Sequence, residues 1–263
     1  MKGEVLRKWI LKKSCEIIAT PVDLILFTLF MLGEAGLHPE AAHSFTLLHG
    51  RFSQLWLEGK DRIIRNAIYK ARNKNWIKKD WKLTLEGKKR LENILPSFLP
   101  QKHWDKKWYL VIFDIPEKIK RKRDILRENL KLLGFGQLQA SVWISPINYL
   151  KNIEQLIKDY DIESYVILSE TDKLGKENSQ LLANRIWQLE KINNKYAEFI
   201  SNWKKANKSE FFWLNLKYYS ILKEDPQLPK ELLPEDWHGE KAHQLISKGP
   251  IKFKLIEDLK QNI

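Results

Sequence analysis

The run Trp108 to Phe113, followed at once by Asp114 and Pro116, constrains the fold more than any other stretch of this chain. Six apolar and aromatic residues stopped by a turn signal read as a buried strand reaching the surface. After the turn, Ile125, Leu126, Leu130 and Leu133 recur at helical spacing, while Arg121, Lys122, Arg127 and Lys131 occupy the positions between. The spacing predicts an amphipathic helix lying against that strand. Gly134 and Gly136 end the helix, as glycine does at helix ends. Gln137 to Ser145 is rich in strand formers and supplies one or two strands closed by Pro146; Tyr149, Leu150, Ile153, Leu156 and Ile157 then form a second amphipathic helix. Tyr165 to Leu168 is the last strand. With a strand pair in the centre, the order is that of a ferredoxin-like βαββαβ sheet with both helices on one face, an α+β architecture.

The chain has 263 residues, enough for two or three compact units. We divide it at residues 1–98, 104–174 and 177–263. Lys and Arg outnumber Asp and Glu by 46 to 33, a formal charge of +13, which points to a polyanionic partner. The excess is concentrated. From Lys60 to Arg90 there are 12 basic residues against Asp61, Asp80 and Glu86. The single cysteine, Cys15, allows no internal disulfide and no thiolate zinc cluster. The apolar stretch Leu24 to Leu32 is too short to span a bilayer, and Asp23 and Glu34 flank it. It reads as the first core helix of a domain, beginning at Pro21 and ending at Gly33, in a cytoplasmic protein with no membrane partner.

Residues 1 to about 20 are basic and amphipathic, and a further helix with Phe45, Leu47 and Leu48 inward is expected before Gly50. From Asp61 to Asn75, Ile63, Ile64, Ala67, Ile68 and Ala71 share one helical face, leaving Arg62, Arg65, Asn66, Tyr69 and Asn73 on the other. That polar face suits a recognition helix: Arg reads guanine edges, Asn reads adenine, and the rest reach phosphates. Trp76 and Ile77 begin a strand, Lys78 to Asp80 form a basic tip, and Trp81, Leu83 and Leu85 alternate with Lys82 and Thr84 as a returning strand does. Helix and basic hairpin together make an N-terminal winged helix-turn-helix, with Thr84 capping the next helix. The candidate DNA-binding residues are Arg62, Arg65, Asn66, Tyr69, Arg72, Asn73, Lys79 and Lys82. The plainer alternative is a solvated basic helix followed by an ordinary hairpin.

From Glu177 the stripe Leu182, Ile186, Leu189, Tyr196, Ile200 and Trp203 predicts one long helix. The stripe suits a dimer seam with Asn193 setting register, although a helix of this length more often packs on its own domain. Phe211 to Leu222 is a second helix, and the segment from Asp225 to Gly239, with three prolines and a tryptophan, is a turn-rich packing unit.

The motifs resemble known families. VIFDIPE, the basic helix, GFG and SVW are similar to the small CRISPR-associated adaptation protein that forms ferredoxin-like dimers. The full set from Trp108 to Pro146 resembles the middle domain of PaaX-type repressors of phenylacetate catabolism. Asp225 to Gly239 resembles the DPxLPxxLLPxxWxG segment of their carboxy-terminal domain. The resemblance implies a winged-helix domain, a ferredoxin-like middle domain and a mainly helical carboxy-terminal domain. It also implies a homodimeric repressor on double-stranded DNA, released by an acyl-coenzyme A-type effector. The CRISPR-associated likeness implies a different chemistry. An aspartate at the position of Asp114 would meet its copy across a two-fold axis and hold Mg2+ for phosphodiester cleavage. The ordinary use of such an Asp is to accept hydrogen bonds from the turn at Pro116 and Glu117. A third reading is a scaffold that binds nucleic acid without sequence preference.

Other chemistry finds little support. The six histidines lack zinc-site spacing, Gly134-Phe135-Gly136 follows a helix and lacks the third glycine of a dinucleotide fingerprint, and Gly59-Lys60 lacks the first glycine of a P-loop. Arg121, Lys122, Arg123 and Arg127 could touch nucleic acid or an acidic ligand, or simply face solvent. No resident cofactor is expected.

Overall fold

The computed structural model describes residues 20–34, 61–99, 102–206 and 210–249. The expected amphipathic segment before residue 20, Cys15 and the helix expected before Gly50 lie outside the described residues. The chain divides into two compact units: the described parts of 1–98, 193–224 and 238–263 form one, and 99–192 with 225–237 form the other.

The second unit holds the sheet. Strand β1 spans Trp108–Phe113, β2 Gly136–Gln139, β3 Val142–Ser145 and β4 Val166–Thr171. Their order is β2-β3-β1-β4, with every neighbouring pair antiparallel. Helix α4 (Lys120–Leu132) joins β1 to β2 and helix α5 (Leu150–Asp159) joins β3 to β4. This is the expected βαββαβ topology, with β1 central. Because side chains alternate along a strand, β1 serves two cores. Val111 and Phe113 pack with Leu126 and Leu130 of α4, Trp143, and Ile153 and Ile157 of α5. Trp108 and Leu110, with Ile144 of β3, face the other way and pack with Leu182, Ala183, Leu189, Leu228, Leu232 and Leu233.

That second layer comes from helix α6 (Ser179–Trp187) and from 225–237, whose only regular piece is the 3-10 turn Lys230–Leu232. Asp225 to Trp237 is therefore a packing unit, as expected. Trp108 stacks 6.2 Å from Trp187 and meets Trp104 edge-on at 5.4 Å. The Trp187 indole donates to Gly134 O at 3.2 Å.

The long helix expected from Glu177 is broken. It is replaced by α6 and α7 (Leu189–Lys205), separated by Gln188 in the left-handed region at φ 54. Asn184 Oδ1 accepts from Glu190 N across the break, which satisfies a donor that a new helix start would leave unpaired. Asn193 is buried and used within the chain, where its Oδ1 accepts from His238 N at 2.8 Å.

In the first unit, helix α1 (Pro21–Glu34) is followed by α2 (Asp61–Asn73) and α3 (Leu85–Ile94). Thr20 caps α1: its hydroxyl accepts from Asp23 N. Val22, Leu26 and Leu29 of α1 pack with Ala67 and Ala71 of α2 and with Ile77. Helices α8 (Phe211–Glu224) and α9 (Gly239–Ser247) belong to the same unit. There the buried Lys217 Nζ lies 2.7 Å from Glu198 Oε1.

Candidate nucleic-acid interface

Helix α2 presents its faces as the periodicity requires. Ala67 and Ala71 are buried, Ile68 is half-buried, and Arg62, Arg65, Asn66, Tyr69, Arg72 and Asn73 are all exposed, Tyr69 at 68%. The helix ends at Asn73, and Asn75 at φ 55 turns the chain into the hairpin. The side chains of Ile63 and Ile64 lie outside what is described.

The hairpin is short. Ile77 and Leu83 form one antiparallel bridge, flanked by Lys78 N to Lys82 O at 2.8 Å and Thr84 N to Trp76 O at 3.0 Å. Leu85, expected on the returning strand, is instead the first residue of α3 and 54% exposed. The cause is Thr84. Its side chain accepts from Gly87 N and donates to Asn75 O, which starts the helix one residue early and ties it to the turn that follows α2. At the tip, Asp80 accepts from Lys82 N and lies 3.5 Å from Lys82 Nζ. The Lys82 backbone N–H holds the Asp80 carboxyl below its usual range, helped by the charges of Lys82 and Lys78. Lys82 is thus partly neutralised, whereas Lys78 and Lys79 are exposed and have no ion-pair partner among the described residues.

Two arginines of this basic region are held by aromatic rings. The Arg72 guanidinium lies 4.6 Å from the Trp81 ring centre and that of Arg90 lies 4.8 Å from the Trp76 ring centre. Arg90 also donates through Nε and Nη2 to Asp23 Oδ1, at 3.0 and 2.7 Å. Asp23 is 2% exposed, and its other oxygen accepts from the Thr20 hydroxyl at 2.7 Å. Sequence reasoning missed this group. The available signal was the carboxylate itself, since an Asp inside an apolar helix calls for a buried partner.

Asp114 belongs to the sheet unit. It is exposed at the end of β1, and its N–H donates to Tyr165 O at 2.9 Å. Its carboxylate accepts no hydrogen bond from the turn at Pro116 and Glu117, contrary to the ordinary use expected of it. Glu117 instead pairs with Arg123 at 2.8 Å, which lowers the Glu117 pKa. Arg127 donates to Ala140 O and lies over the Phe113 ring. Among the described residues no three His, Cys, Asp or Glu side chains converge as metal ligands, and no helix is long and apolar enough to cross a membrane.

The fold and the basic face together define a class: a ferredoxin-like module whose sheet is covered on both sides, in a chain that also carries a helix and hairpin rich in exposed cations. Family profiles make this specific. The PaaX protein central Cas2-like domain matches residues 101–183, and the PaaX-like protein C-terminal domain matches residues 187–254. The chain belongs to the PaaX-like family. It is 24% identical over 217 residues to the transcriptional repressor PaaX of Escherichia coli (strain K12), a match covering 70% of this chain. That match spans just under two thirds of the repressor's own length, 66%. Among solved structures, the uncharacterized protein Rv0674 from Mycobacterium tuberculosis shares the fold, with a TM-score of 0.50, 20% identity, and coverage of 69% of this chain and 76% of that one.

Proposed function

We propose that this protein is a DNA-binding transcriptional regulator that represses by occupying an operator as a homodimer in the cytoplasm. One observation carries the reading. The polar residues of α2 are exposed while Ala67 and Ala71 on the opposite face pack with α1, and a hairpin bearing the exposed Lys78 and Lys79 follows directly. In the winged-helix reading, α2 enters the major groove with Arg62, Arg65 and Asn66 at base edges, and Lys79 and Lys82 meet phosphates. Release by an acyl-coenzyme A-type metabolite belongs to the same proposal and rests on the family alone.

The test is a footprint of the purified protein on the DNA upstream of its own operon, with unrelated competitor and with and without magnesium. A protected site that survives competitor on intact DNA supports the regulator. Binding lost to competitor favours a scaffold without sequence preference. Cleavage that needs magnesium and disappears in Asp114→Ala favours the nuclease reading.

A further inference from the structure

The inference rests on the DNA-binding reading and concerns what aims the hairpin. Asp23 is a buried carboxylate in α1, and it takes both donors of one edge of Arg90 on a single oxygen. Arg90 projects from α3, and its guanidinium plane lies over Trp76, the residue that opens the hairpin. The Trp76 carbonyl is the acceptor that closes the hairpin from Thr84. The backbone is close-set at the same place, because a Cβ on Gly87 would stand 2.1 Å from Trp76 O. Thr20, Asp23, Arg90 and Trp76 therefore run as a continuous line from the start of the core helix α1 to the base of the hairpin. Guanidinium is suited to such a strut, since one planar group can fork onto a carboxylate and stack on an indole at once, and ammonium cannot.

We infer that Asp23 is a positioning residue for DNA contact, fixing the hairpin through Arg90 and Trp76, and that Arg90 serves as this strut and not as a phosphate ligand.

The two roles for Arg90 predict effects of opposite sign. Asp23→Asn adds a net positive charge and takes away the anion that holds the guanidinium. If Arg90 bound phosphate, duplex affinity and its salt dependence would hold or rise. If Arg90 is the strut, the hairpin loses its aim and the phosphate contacts of Lys79 and Lys82 go with it. The slope of log affinity against log salt then falls by about 1.8, and affinity at low salt falls by roughly 10- to 100-fold. Arg90→Lys gives an independent check that keeps the charge: a phosphate ligand would preserve the slope, whereas a strut would not.

Hydrogen exchange without DNA reads the same line directly. The amides of Lys78, Trp81 and Thr84, which close the hairpin, should lose protection in both variants while the middle of α2 keeps its own. A variant in which α2 also loses protection is misfolded, and the other variant then decides. Wild-type protein without salt-dependent duplex binding sinks the DNA reading and this inference with it. Wild-type binding with unchanged slopes in both variants sinks the inference alone.

Discussion

Arg65 and Lys79 are both exposed cations, and under the proposed DNA-binding function they would have separable jobs on a duplex. Arg65 lies mid-helix on the face offered to a groove, so Arg65→Ala should cost about 1–3 kcal/mol on the cognate site and little on unrelated DNA. Equal losses in competition binding would remove its base-reading role. Lys79 sits at the hairpin tip, where a cation meets backbone. Lys79→Ala should weaken binding alike on all sequences and lower the salt slope by about 0.9. The charges themselves were legible from composition and periodicity. Their partition was not. Arg72 and Arg90 read from sequence as two more cations of the basic stretch, and only the fold places Trp81 and Trp76 beneath them, through a hairpin bend at Asn75 and Trp81, both at positive φ.

Elements were legible where periodicity and punctuation agreed. The β1 run, the α4 stripe and the strands after Gly134 appear where expected because buried faces and turn residues specify them together. The break at Gln188 had no such punctuation: the apolar stripe continues through it, and glutamine carries no preference for the left-handed conformation it adopts. Close approach between elements is likewise invisible in one dimension. A Cβ on Gly136 would stand 2.2 Å from Ile186 Cγ2 and 2.7 Å from the Trp187 ring, so β2 and α6 meet only because position 136 is bare. Gly136→Ala should destabilise the sheet unit by about 1–3 kcal/mol in a denaturant titration. Gly87→Ala meets the Trp76 carbonyl, which is backbone and cannot swing aside. It should open the hairpin and weaken DNA binding while leaving the sheet unit's stability unchanged.

At the scale of the molecule, the chain spends both faces of one four-stranded sheet on itself. The proline-rich segment was recognisable as a packing unit, but its target was not, because nothing local says that Leu228, Leu232 and Leu233 belong over Trp108. Leu232 is fully buried there. Leu232→Ala should cost about 2–5 kcal/mol, visible as a shifted emission from the Trp104, Trp108 and Trp187 group at lower denaturant.

Residues 193–224 belong to the other unit, so the chain leaves the sheet unit and returns to it only at Asp225. On a translating ribosome, β1 emerges early, but Leu232 cannot reach it until more than a hundred further residues have been made. For the latter part of that interval the tryptophan-rich face of the nascent sheet has α6 over it but lacks Leu228, Leu232 and Leu233. Its maturation is timed by the last quarter of the message, and a stalled or prematurely ended transcript would leave a sticky product that quality control can recognise.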